Sequence, residues 1–215
     1  KLDLERVART ISSERPRFAA LQELDTAAKR SAFIDEPAEL GRLTGMHATF
    51  AEAIPFGKVG YGFSRLSREK PLSVKRLPLP GVEPRVLLLA EFKDCLIGCT
   101  HLDLDKEKRL ESLPVLRSAL AGAVKPVFLC GDWNAVPDSS ELQGISAFAK
   151  VISRTDAKTF HGLNPDGSRS VDYGKCIDYI AVDNANADFV EVVSAGTVEG
   201  RFSSDHAPIT VVVKM

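Results

Sequence analysis

The residues able to do chemistry sit at the ends of apolar runs. Val127-Phe128-Leu129-Cys130 leads into Gly131-Asp132-Trp133-Asn134, an acid and an amide two positions apart, with a turn and a helix start at Pro137-Asp138. The apolar run reads as a buried strand. If that strand continues to Asn134, period-two geometry places Asp132 and Asn134 on the same side. The same grammar recurs along the chain. Phe18–Leu21 runs into Gln22-Glu23, and Leu96–Thr100 runs into His101. Cys176–Val182 carries Asp178, and a turn over Gly200–Ser204 leads to Asp205-His206. Taken singly, Glu23 reads equally as a turn cap and His101 as a satisfied semi-buried histidine. Asp178 is harder to dismiss, because an aspartate within an apolar strand is costly unless it is paired. The imidazole of His206 is its obvious partner, and such a contact fixes the tautomer and stabilises the cationic ring. Asp205 and His206, being adjacent, point to opposite faces if extended, so that one can bind a metal while the other meets the substrate.

Carboxylates plus an amide oxygen, without cysteine ligands, suit a hard cation such as Mg²⁺ or Mn²⁺. Histidines beside such an ion can hydrogen-bond a phosphoryl oxygen, and the set suits phosphate-ester hydrolysis. A serine nucleophile lacks support, since the sequence holds no G-x-S-x-G. The four cysteines, Cys95, Cys99, Cys130 and Cys176, show no C-x-x-C spacing and lie in or beside apolar runs, which favours small buried residues over zinc ligands or a disulfide framework.

The 215 residues suit one domain, and 44% hydrophobic with 27% charged residues are enough for a sizeable core. A formal net charge of −1 gives no global basic field. Arg65, Arg68, Lys70, Lys75 and Arg76 form a modest basic cluster that reads as a solvated face. No run is long and apolar enough to span a membrane. The chain is expected to be a soluble monomer, with cytoplasmic location and export after signal removal both open.

The elements that would position these groups follow from periodicity. Apolar positions Leu4, Val7, Ala8 and Ile11 predict a first helix closed by Pro16, and helical turns are expected over Ala27–Phe33 and Glu36–Thr44. Strands are expected at Met46–Ala51, Phe63–Ser67 and Leu72–Leu77, with Phe56–Gly62 as a glycine-rich turn. Val86–Phe92 and Leu96–Thr100 should form a hairpin across Lys93-Asp94. The clearest helix spans Lys106–Ala123, with Pro114 inside it; a shorter one is expected over Glu141–Lys150. His161–Lys175 reads as a surface loop, and Asp188–Gly196 and Ile209–Val213 as closing strands. Helices between short, partly antiparallel strands favour an α/β sandwich.

Six motifs now stand in order: Leu21-Gln22-Glu23, Leu66-Ser67-Arg68, Thr100-His101-Leu102-Asp103, Gly131-Asp132-Trp133-Asn134, Ile177-Asp178-Tyr179-Ile180 and Ser204-Asp205-His206-Ala207-Pro208. Together they resemble the endonuclease/exonuclease/phosphatase superfamily, the group of pancreatic deoxyribonuclease, abasic-site endonucleases, inositol-polyphosphate 5-phosphatases and bacterial sphingomyelinases. The resemblance implies a four-layered α/β sandwich, two central mixed sheets flanked by helices, formed by a single domain over 1–215 with its site at the rim. It also implies roles. Glu23 would be the principal ligand of Mg²⁺ or Mn²⁺, with Asp205 binding or close to the ion. Asp132 would orient or activate the attacking water, Asn134 would help hold that water or the phosphate, and His101 would contact a phosphate oxygen. Asp178 would orient His206, which would stabilise the charged transition state. Arg85 reads as a solvated surface arginine before a phosphate contact. One departure stands out. Family members open with a strand ending in a metal-binding asparagine, whereas no asparagine precedes Asn134 here. The function implied is metal-dependent phosphodiester hydrolysis with nucleic acid as first candidate substrate. The alternatives are a phosphomonoesterase or phospholipid or inositol-phosphate headgroup hydrolase on the same site, and a non-catalytic binding member.

Overall fold

The computed structural model describes residues 2–56, 59–162, 164, 170, 174–198 and 204–215, with backbone alone over 52–56 and at 59. Its centre is a six-stranded mixed sheet of order β4-β5-β6-β7-β9-β8. The strands are β4 (Ser73–Leu79), β5 (Arg85–Glu91), β6 (Leu96–His101), β7 (Val127–Asp132), β8 (Ala149–Val151) and β9 (Asp178–Asp183). β5 and β6 form the expected hairpin. β6 and β7 are parallel, so the chain must cross over between them, and helix α3 (Lys106–Leu120) makes that crossover. Pro114 lies within α3.

Alternation along these strands sorts side chains onto two faces. Leu87, Leu89, Leu129, Tyr179 and Ala181 meet Leu116 and Leu120 of α3, and Leu142 and Ile145 of α4 (Ser140–Ser146). Val86, Leu88 and Cys99 face the other way, as do Ile97, Phe128 and Val182. They pack against a second sheet layer recorded in two antiparallel pieces. One is β1 (Phe18–Thr26), β3 (Val59–Ser67) and β2 (His47–Phe56), in the order β1-β3-β2; the other is the pair β10 (Glu191–Thr197) and β11 (Ile209–Lys214). Phe18 of β1 and Val211 and Val213 of β11 join the same core cluster, which places both pieces on one side of the central sheet.

Helices α1 (Leu4–Glu14) and α2 (Glu36–Thr44) form the outer layer on β1 and β3. Leu4, Ala8 and Ile11 make the buried stripe of α1. Asp3 caps its start by accepting from the Arg6 amide, and Arg15 closes it at φ 50°. Asp35 caps α2, Pro37 sits in its first turn, and Gly45 ends it at φ 67°. The four-layered α/β sandwich expected from the resemblance is thus present.

Three local readings change. The expected helix over Glu141–Lys150 ends at Ser146, and Ala149–Val151 instead pairs as an edge strand with β9. Ala187–Phe189 is a 3₁₀ turn, so the strand expected from Asp188 begins at Glu191. Around the expected turn at Phe56–Gly62, Val59 onward is already β3. Most of the 161–175 loop and of the turn at 200–204 lies outside the described residues.

Candidate active site

Register brings the first three groups together. His101 ends β6 and Asp132 ends β7, and the two are paired positions on neighbouring parallel strands. Asp178 starts β9 directly opposite Asp132 on its other side. The sheet rim therefore presents His101, Asp132 and Asp178 side by side. His206 reaches this row from the segment before β11, and its Nδ1 lies 2.9 Å from Asp178 Oδ2. The expected Asp–His contact is present. His206 Nε2 is 3.9 Å from Asp132 Oδ2, and His101 Nε2 is 3.5 Å from the same oxygen.

Glu23, His101, Asp132, Asn134, Asp205 and His206 all line one cavity of about 640 Å³, while Asp178 stands behind His206. Glu23 is not at a strand end as expected. β1 runs on to Thr26, and its register shifts between Leu21 and Leu24, where Glu23 takes φ 58°. A bulge of this kind re-aims a side chain. Asn134 does not continue the strand either. β7 stops at Asp132, and Asn134 adopts φ 49°. Its amide N–H donates to Asp132 Oδ1 at 2.8 Å and its Nδ2 donates to Leu102 O at 2.9 Å. A left-handed turn, not period-two alternation, brings it to the cavity. Asp205 and His206 do not diverge, because this segment bends: the His206 amide donates to Ser204 Oγ, and both side chains line the cavity.

Burial and charge set the titration of these groups. Burial alone would lower the His206 pKa, but the hydrogen bond and charge of Asp178, with Asp132 and Asp205 adding, hold it up at about 9. Asp132 is pushed up to about 7 by burial and by the Asp178 charge, against the Asn134 N–H and His206. His101 is pushed down to about 3 by burial, with Arg85 and His206 adding, so its 3.5 Å approach to Asp132 is a neutral contact and not an ion pair.

Several supporting residues escaped the sequence reading. Thr159 is fully buried, and its Oγ1 accepts from the Ile177 and Asp178 amides at 3.0 and 3.1 Å. Tyr179, one residue beyond Asp178, donates through its hydroxyl to Ala135 O at 2.7 Å, which ties down the loop carrying Asn134. Tyr61 hydrogen-bonds Glu23 and lines the cavity; burial, with the Glu23 charge, raises its pKa. Asp103, in the Thr100–Asp103 motif, accepts from the Val82 and Asp105 amides. Arg85 is buried at 7% exposure and lines the cavity, which overturns its reading as a solvated surface arginine. Its position at the start of β5 puts it beside the His101 strand, as the expected hairpin implies; its burial is what the hairpin did not give.

The expected basic face also changes. Arg65 is fully buried between the two sheet layers, with its guanidinium 5.0 Å over the Phe92 ring and Nη2 donating to Thr49 Oγ1. Its Nε and Nη1 have no hydrogen-bond partner. Arg68, Lys70, Lys75 and Arg76 are exposed, with Arg68 donating to Pro16 O and Arg76 to Phe50 O.

The donor set fits a hard divalent ion. The cavity offers the carboxylates of Glu23, Asp132 and Asp205, and no cysteine lines it. Among the described residues, Asp132, Asp178 and His206 also bring ligand atoms within 4.8 Å of one another and could hold a metal ion. No helix in the described residues is long and apolar enough to cross a membrane.

Comparison with known proteins agrees with this architecture. No curated protein matches the chain by sequence. Among solved structures, an endonuclease/exonuclease/phosphatase from Bacteroides vulgatus is similar with TM-score 0.80 at 17% identity, over 99% of this chain and 90% of that one. A mannosyl-6-phosphatase from Bacteroides thetaiotaomicron VPI-5482 gives 0.79 at 17% identity, over 99% and 90%. The human Nocturnin catalytic domain with bound sulfate gives 0.65 at 18% identity, over 99% and 88%. At these identities the likeness shows the fold. Residues 1–206 match the sequence profile of the Endonuclease/Exonuclease/phosphatase family, and the chain belongs to that family of hydrolytic phosphoesterases.

Proposed function

We propose that this protein hydrolyses phosphate esters with a divalent cation, Mg²⁺ or Mn²⁺, at the cavity lined by Glu23, Asp132 and Asp205. The observation that carries the reading is the Asp178–His206 contact at 2.9 Å, with His206 Nε2 turned toward Asp132 at 3.9 Å. Because Asp178 already engages His206 Nδ1, Glu23 and Asp205 are the residues we assign to the ion. When bound, a divalent ion supplies charge stabilisation to the phosphoryl group.

The chain's own groups divide the remaining work. Asp132, raised to about 7, is poised to take a proton from a water it orients. Asn134, held in place by Leu102 O, positions that water or the phosphate. His206, kept cationic by Asp178, donates to a phosphoryl oxygen as negative charge develops there. His101, neutral, contacts a second phosphoryl oxygen. As the new P–O bond forms, the bond to the alcohol oxygen breaks on the far side from the attacking water, and the alcohol departs after taking a proton from solvent.

The test is hydrolysis of a panel, with Mg²⁺, Mn²⁺ or chelator, by wild type and His206→Ala. The panel holds single- and double-stranded DNA, an abasic duplex, RNA, an inositol polyphosphate, sphingomyelin, a sugar phosphate and nitrophenyl phosphates. Cleavage that needs metal and disappears in the variant supports the reading. Metal-independent cleavage, or full activity in His206→Ala, would sink it.

A further inference from the structure

We infer that the cavity takes a compact phosphate ester whose leaving group is uncharged, a phosphorylated polyol or sugar-type alcohol in preference to a polyanion such as nucleic acid. The inference rests on the phosphoesterase reading and deepens it.

Arg109 of α3 and Glu141 of α4 both line the cavity. Arg109 Nε and Nη2 each lie 2.8 Å from Glu141 Oε1, and Nη1 donates to the carbonyls of Asp103 and Leu104 at 3.1 and 2.6 Å. Each guanidinium nitrogen is thus engaged by the protein itself. The pair is buried, with side-chain exposure of 11% and 1%. Arg85 is paired more loosely, with Nε 3.5 Å from Asp103 Oδ2 and Nη2 3.3 Å from Glu83 Oε2. Both arginines among the described lining residues therefore have carboxylates beside them. Among the described lining residues, five carboxylates face four lysines and arginines together with His206. A dication at Glu23 and Asp205, with His206, would serve the scissile phosphate, and beyond the arginine pairs the remaining cations among the described lining residues are lysines. Lysine grips a phosphate as a flexible point charge and lacks the arginine fork.

Size and apolar surface agree. A cavity of about 640 Å³ is of the size that small-molecule sites occupy. Leu104 and Val136 line it while 75% and 43% exposed, so they are available to the carbon skeleton of an alcohol. A nucleic-acid grip needs a tract of unneutralised cations along the phosphate backbone. The one expected basic cluster loses Arg65 to the interior.

The experiment compares kcat/KM in Mg²⁺ for a hexose 6-phosphate, the corresponding 1,6-bisphosphate and a single-stranded oligodeoxynucleotide. The expected result is a preference for the monophosphate of at least tenfold over either polyanion. Glu141→Gln strips the countercharge from Arg109 and should shrink the monophosphate-to-bisphosphate ratio several-fold, whereas Arg109→Gln should enlarge it. Equal or better turnover of the bisphosphate or the oligonucleotide overturns the inference, as does a ratio that both folded variants leave unmoved. The same ligands are also titrated calorimetrically against His206→Ala, and against wild type with Ca²⁺ should that variant not fold. If no ester is hydrolysed but the monophosphate still binds at least tenfold tighter, the phosphoesterase reading falls and the pocket inference stands. If the polyanions bind as tightly, the pocket inference falls.

Discussion

Gly131 lies on β7 beside Asp132 and faces Thr100 of the His101 strand, and replacing it with alanine tests whether close approach at the rim sets the site. Its φ is +145°, and a Cβ built there would lie 1.8 Å from Thr100 O and 2.9 Å from Thr100 C. Ordinary contact begins near 3.4 Å, so either β6 must retreat or β7 must rotate. Both obstacles are backbone, which no rotamer change can relieve. Positive-φ strain of about 1–2 kcal/mol for a non-glycine residue adds to an overpacking cost of about 1–3 kcal/mol, giving a loss of about 2–5 kcal/mol for Gly131→Ala. For a chain of this size that corresponds to a Tm lower by about 10 °C. Gly122→Ala is the control. It also has positive φ, at +71°, but nothing lies within 4 Å of its Cβ, so it should lose about 1 kcal/mol. Urea denaturation of both variants in chelator, with unchanged m, measures the difference. Activity should fall further in Gly131→Ala than stability alone explains, because the His101–Asp132 approach at 3.5 Å depends on the spacing of these strands. A Gly131→Ala protein no less stable than Gly122→Ala would refute the reasoning.

Further predictions follow from the same contacts. Asp132→Asn should cut kcat/KM by about 10²–10⁴-fold. The same change should raise the Tm, because a buried carboxylate beside Asp178 becomes neutral; an active or destabilised variant would count against the assignment. Thr159→Val removes the acceptor for two buried amides and should cost about 1–3 kcal/mol, whereas Thr159→Ser should cost much less. Equal midpoints for the two variants would contradict that. In metal-free protein the His206 pKa rises from 6.5 to about 9 on folding, so its contribution is complete below 6.5 and is lost as pH rises through about 9. Wild type should therefore lose up to about 3 kcal/mol between pH 7 and 9.5, and Asp178→Asn should lose much less over that window. Parallel urea midpoints for the two proteins would sink the assignment. Glu23→Gln should weaken Mg²⁺ activation, read as a higher Mg²⁺ concentration at half-maximal rate; an unmoved value would remove Glu23 from the metal site.

What could be read in the sequence was whatever local pattern dictates. Apolar runs beside polar residues gave β1, β6, β7 and β9 with His101, Asp132 and Asp178 on them, and the helical turns expected over Glu36–Thr44 coincide with α2. The Asp178–His206 partnership followed from the cost of an unpaired aspartate in a strand. Two site conformations were not legible: Glu23 holds positive φ, a state that glutamate rarely adopts and that surrounding contacts must impose, and Asn134 holds positive φ, which asparagine tolerates but does not dictate. Thr159 and Tyr61 reach the site across the fold, and no spacing rule connects them to Asp178 or Glu23. Arg85 and Arg65 were misplaced for a different reason. Charge argues for the surface, whereas a strand covered on both faces buries whatever residue its register dictates.

Arg65 has a consequence for how the molecule opens. Two of its nitrogens lie without partners between the sheet layers, so the interior is locally frustrated there. Parting the layers at this seam hydrates a desolvated cation as well as exposing hydrocarbon, and the first effect offsets part of the second. Breathing motions should therefore start along β3 and the facing part of β6, earlier than in the helix-covered face of the central sheet. Amide exchange would show β3 protons leaving before those of β5. Arg65→Met, which fills the seam with apolar volume, should close that gap and make the two layers open as one unit.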